Sequence, residues 1–138
     1  MNWGRFAGAS VAVFILRDAL NYVFYAVIRA PVNAQLLKDH PGVLREVIPG
    51  YVATDLLTAL ILTYLVARGA GAFGGGIKGG ACLGIIAALL MGVAGNLYVF
   101  FGVTFIEPGR MVQDMIYEIV SMALQGALAG KLAGGKAT

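Results

Sequence analysis

Arg17 and Asp18 stand side by side in the middle of an apolar run, residues 6–28, and Asp55, Asp114 and Glu118 stand inside two further apolar runs. Ionisable groups surrounded by apolar sequence are costly. Where they occur they pair with one another, reach water, or mark the path of an ion or proton. Arg17 supplies one positive charge against the four carboxylates, so a fully ionised set carries an uncompensated charge of −3. Burial makes that arrangement very unfavourable. Relief can come from protonation, from water reaching Asp114, from Arg110 or Arg29 folding inward, or from a bound cation. Protonation and cation binding are the chemistry of a proton- or cation-coupled transport site, with Asp18, Asp55, Asp114 and Glu118 as ligands and Asn21 and Asn96 as neutral polar partners. Glu118 and Asp55 are the expected exchangeable positions. The competing reading is purely structural: Arg17 forms an ion pair that locks helices together.

Other chemistry finds less support. His40 beside Asp39, with Glu46 six residues on, has no second histidine to complete a metal site. Ser121 has only carboxylates near it, so no nucleophile–base pair is visible. The glycines between Arg68 and Lys78 lack the preceding strand and the Lys-Ser or Lys-Thr pair of a phosphate cradle, and read as a flexible turn. The lone Cys82 excludes an intrachain disulfide and reads as a buried, inert thiol. Asn33 is followed by Ala34 and Gln35, so it is no glycosylation acceptor. An enzyme is therefore not the expected function, no metal is expected, and no cofactor is specified.

The elements that must position these residues follow from composition. Of 138 residues 59% are hydrophobic and only 12% charged, against about a quarter charged in soluble domains. Four apolar runs, about 6–28, 47–67, 79–105 and 111–132, approach or exceed the ~20 residues that cross hydrocarbon as a helix. Pro31, Pro41 and Pro108 fall between them, and Pro49 stands at the start of the second. The expectation is an all-α integral membrane protein, one transmembrane domain over residues 1–138. It is a four-transmembrane-helix bundle with both termini on the same side. Residues 30–49 form an interfacial loop in which a short amphipathic helix fits. The run from Phe6 is too long, and too charged at its centre, for a cleaved signal peptide.

Helix rise then aligns the polar residues. Measured from the face opposite the termini, Asp18 lies about 15 Å deep, Asn21 about 10 Å, Asp55 about 12 Å, Asn96 about 13 Å, and Asp114 and Glu118 about 5 and 10 Å. Antiparallel helices thus bring their polar groups to one layer. Asp114, Glu118, Ser121 and Gln125 share a stripe, as do Tyr51, Asp55 and Thr58; Arg17 and Asn21 share a face, with Asp18 about 100° away alongside Tyr22 and Tyr25. Small residues recur every fourth position at Gly76, Gly80, Gly84, Ala88 and Gly92, and again at Gly126, Gly130 and Gly134, the spacing that lets helix backbones approach closely. These rows close either within one chain or between two, so a homo-oligomer or a larger membrane complex is expected alongside the lipid bilayer, and no nucleic acid. Lys and Arg number five on the terminal side against four opposite, which assigns cytoplasmic termini in a multi-pass inner-membrane protein.

The second half, from Gly80 to Leu132, resembles a bacterial family catalogued as domain of unknown function 1761. The resemblance rests on Asn96, the short turn Glu107-Pro-Gly-Arg110, Asp114, Tyr117 and Gly126. The proline inside that turn departs from the family pattern, and the first half agrees only in outline. The resemblance implies a four-span architecture and no activity. The surplus of acids over Arg17 makes transport or conduction of a proton, cation or small solute through the acidic cluster the expected function. The alternative is a non-catalytic structural or assembly subunit packed against a larger membrane complex.

Overall fold

The computed structural model describes residues 2–42, 48–102 and 106–134. These residues build helices, with no strand among them. Helix α1 (Trp3–Asn21) starts at Asn2, whose side chain accepts a hydrogen bond from the Arg5 amide, and it runs on as a π-helical stretch over Tyr22–Ile28. A short helix α2 (Ala30–Asp39) follows, then α3 (Ile48–Gly69) with a 3-10 turn at Ala70–Phe73. The next rod is α4 (Gly76–Ala87), a π-helical stretch Ala88–Val93, and α5 (Ala94–Gly102); α6 (Pro108–Ala133) completes the chain. Pro31 and Pro108 sit in first turns of helices, where the missing amide costs nothing. Residues 43–47, part of the expected interfacial segment, and 103–105, the end of the expected third run, lie outside the described residues.

Three helices are long and apolar enough to cross a membrane: Trp3–Ile28, Ile48–Phe73 and Gly76–Gly102. This corrects the four-transmembrane-helix bundle, and with it the even span count that placed both termini on one side. The fourth rod, α6, has the length at 26 residues but not the composition. Arg110, Gln113, Asp114, Glu118, Gln125 and Lys131 all lie on it. The stripe that suggested a polar site is what makes α6 a poor match to lipid. The fold answers this by wrapping it: α6 packs against α1, α3 and α4, and Ser121, Met122, Gln125, Gly126, Ala129 and Gly130 are buried there.

Residue size is inverted relative to a water-soluble protein. The core is mostly small: Val13, Ala59, Leu62, Val66, Ala70, Ala87, Ala88, Met122 and Ala129. Large apolar side chains such as Leu57, Leu90, Met91 and Phe101 face outward. Close-packed small residues inside and bulky ones outside suit a medium as apolar as leucine, whereas so much contiguous apolar surface is a liability in water. The arrangement is compatible with a membrane protein.

The small-residue rows close within the chain. Gly80 lies against the Gly126 carbonyl, Gly84 against that of Met122, and Gly130 against that of Gly76, so α4 and α6 touch backbone to backbone. The expected flexible turn at 68–78 is instead a defined one: the 3-10 segment leads into Gly74, Gly75 and Gly76, all at positive φ, a conformation that glycine reaches without steric penalty.

Candidate functional site

One turn of α1 and one of α3 make the centre of the site. Arg17 and Asn21, four residues apart, project from the same face of α1 toward Asp55 on α3. Arg17 Nε donates to Asp55 Oδ1 at 2.7 Å, and Asn21 Nδ2 bridges both Asp55 oxygens at 3.0 and 2.9 Å. Helix α6 closes the arrangement. Tyr117 OH donates to Asn21 Oδ1 at 2.6 Å, and Arg17 Nη1 reaches Met122 Sδ at 3.5 Å. The Arg17 and Asp55 side chains are 11% and 9% exposed. Asp55 therefore has three donor contacts and a full counter-charge.

A second ion pair lies nearer the start of α6. Arg29 is 3% exposed and its Nη1 pairs with Asp114 Oδ1. The guanidinium also lies over the Phe24 ring, 5.6 Å from its centroid. Phe24 in turn stacks on Tyr117 at 4.0 Å, and Tyr25 meets both rings edge-on at 4.9 and 5.6 Å. An aromatic wall thus separates the two ion pairs and holds Tyr117 in position. Tyr117→Phe keeps the stacking and removes the hydroxyl with its bond to Asn21. The expected loss is about 1 kcal/mol of stability, read by detergent-denaturant titration of circular dichroism.

Of the residues singled out from the sequence, Arg17, Asn21, Asp55 and Asp114 are brought into these two networks. Asp18 is not. It lies one residue, about 100°, from Arg17, and since Arg17 faces α3 and α6, Asp18 faces outward and is exposed, as are Tyr22 and Tyr25. It is no part of an internal ligand set. Asn96 folds its amide back onto the Gly92 carbonyl of its own rod at 2.8 Å and bonds none of the charged groups. Glu118 is half-buried, with its side chain against Gly92 in the π-helical stretch; a Cβ built on Gly92 would lie 2.9 Å from Glu118 Cβ. Among the described residues Glu118 makes no ion pair and no hydrogen bond.

Two partners were missed as site residues. Arg29 was one of several ways to relieve the charge, and Tyr117 entered only through a family resemblance. Tyr117 was visible in principle, three residues after Asp114 and four before Ser121 on the same helix face. The structure reduces the imbalance expected from sequence. Arg17 neutralises Asp55, Arg29 neutralises Asp114, and Asp18 lies outside. Among the described residues Glu118 is the internal acid that forms no ion pair. Among the described residues no cluster of His, Cys, Asp or Glu is arranged to hold a metal.

No family model matches the chain, and no curated protein or solved structure matches it either.

Proposed function

We propose that this chain is a small membrane protein in which Glu118 binds and releases a proton, coupled to passage of protons, a cation or a small solute. The observation that carries this reading is the unpaired state of Glu118 inside a bundle whose other internal carboxylates are neutralised. A carboxylate held away from water without a counter-ion takes up whatever neutralises it, and a proton is the smallest candidate. Its setting supports the role. Gly92 leaves room beside Glu118, and it lies in a π-helical stretch, a local widening that recurs at functional positions. The two ion pairs are then scaffold: they fix α1, α3 and α6 around the titrating group.

The reading makes a separable prediction. In proteoliposomes with an entrapped pH-sensitive dye, Glu118→Gln removes proton flux to the background of empty vesicles while circular dichroism is unchanged. Asp55→Asn and Asp114→Asn act first on stability, because each removes the charge from one partner of an ion pair. Wild-type flux retained by folded Glu118→Gln would sink the assignment. The second reading, a subunit of a larger membrane complex, is favoured by the outward position of Asp18.

A further inference from the structure

The face of α1 turned away from the bundle is regular. Gly4, Gly8, Val11, Ile15, Asp18 and Tyr22 follow one another at intervals of four and three residues, and all six are exposed. A Cβ built on Gly8 meets nothing within 4 Å. This spacing is that of a left-handed helix–helix seam. It holds only one charged residue, Asp18, ten residues or about 15 Å from the Ile28 end of the rod. With Trp3–Ile28 crossing a bilayer, that places a carboxylate near the hydrocarbon midplane, where a charge facing lipid is among the most unfavourable arrangements. Among the described residues nothing in the chain donates to it or pairs with it.

We infer that this face of α1 docks a transmembrane helix of a different protein, one carrying a Lys or Arg at mid-span opposite Asp18. Charge complementarity selects this occupant over a second copy. A two-fold contact through the same face sets Asp18 against its own copy, which adds like charge where the need is for a cation. Among the described residues no suitable cation stands elsewhere in the chain. Its exposed basic residues among those described, Arg5, Lys38, Arg68, Lys78 and Lys131, lie in the short α2 or near helix ends. Arg17, next to Asp18 in depth, and Arg29, just past the Ile28 end of the rod, are turned inward and already paired. Gly4 and Gly8 complete the seam by letting the incoming helix approach closely at the Trp3 end.

The test uses the full chain in phosphatidylcholine vesicles with two synthetic probes: a leucine-rich transmembrane peptide with one mid-span lysine, and the same peptide with leucine there. Association is followed by resonance energy transfer at neutral pH. The lysine peptide is expected to bind wild type about tenfold more tightly than the leucine peptide, the scale of one interhelical polar contact in a membrane. Asp18→Leu is expected to erase the preference. Because the Asp18 side chain is exposed and makes no ion pair among the described residues, this variant is expected to keep the wild-type circular dichroism and melting. Equal binding of the two peptides to wild type overturns the proposal. So does self-association of the wild-type chain that Asp18→Leu abolishes, which would make a second copy the occupant. Neither outcome bears on Glu118, since proton flux is not the readout.

Discussion

Arg17→Met lowers stability by about 3–5 kcal/mol, and the double variant Arg17→Met with Asp55→Leu recovers most of that loss. The single substitution strands Asp55, which is 7% exposed, without its counter-charge. Removing one member of a buried pair costs far more than the pair contributes, because the remaining ion was desolvated on the strength of its partner. Taking away both charges removes the stranded ion. A residue of about 1–3 kcal/mol remains, because the Asn21 amide that bridges the two Asp55 oxygens then loses its acceptor while still holding the Tyr117 hydroxyl. Adding Asn21→Leu to the double variant shifts that penalty to Tyr117 OH without abolishing it. Equilibrium unfolding in mixed detergent, followed by circular dichroism, measures wild type, the singles Arg17→Met and Asp55→Leu, the double and the triple variant. The sign of the double-mutant coupling is decisive. Additive losses would mean that Arg17 and Asp55 act independently, and the lock between α1 and α3 would have to come from elsewhere.

How far this centre was legible in the sequence depends on which geometric quantity each residue required. Arg17, Asn21 and Asp55 needed only the helix rise and the antiparallel order of α1 and α3, both of which follow from apolar runs and proline positions. Asp18 needed the direction in which α1 faces its neighbours. Sequence spacing gives the angle between Asp18 and Arg17, not which of the two looks inward. Arg29 lay beyond a change of helical geometry. The π-helical Tyr22–Ile28 stretch makes i→i+5 bonds, so angular positions extrapolated from an α-helical period no longer apply past Asn21. The same holds for Ala88–Val93, where Gly92 comes to face Glu118. The span count failed for a different reason. Residues 111–132 have the length of a span, and from sequence alone their polar stripe reads as a site. That stripe also removes α6 from the set of helices apolar enough to cross lipid alone. A helix of this kind needs the shielding of α1, α3 and α4, a property of the assembled fold and not of its own sequence.

Gly80→Ala and Gly8→Ala, the same change on two helices, have opposite signs. At Gly8 an added methyl meets nothing within 4 Å, and the helix gains intrinsic propensity of up to about 1 kcal/mol. At Gly80 the methyl is driven into the Gly126 carbonyl and against Gly130 Cα, both backbone atoms that no rotamer change can move aside. Helices α4 and α6 must separate, and every contact along the row from Gly76 to Met122 loosens with them. The expected loss is about 1–3 kcal/mol, at the upper end because the obstruction is backbone and not side chain. Gly126→Ala meets the Gly80 carbonyl from the other side, so the two substitutions act on one gap. Once either has forced the helices apart, the other finds room. The double variant is therefore less damaging than the sum of the singles, by about 0.5–3 kcal/mol of coupling for residues in contact. Detergent-denaturant titration of the four chains reads both effects. Simple additivity would show that the two glycines are not in the same contact, and a Gly80→Ala chain as stable as wild type would remove the backbone seam between α4 and α6 from any account of how this bundle holds together.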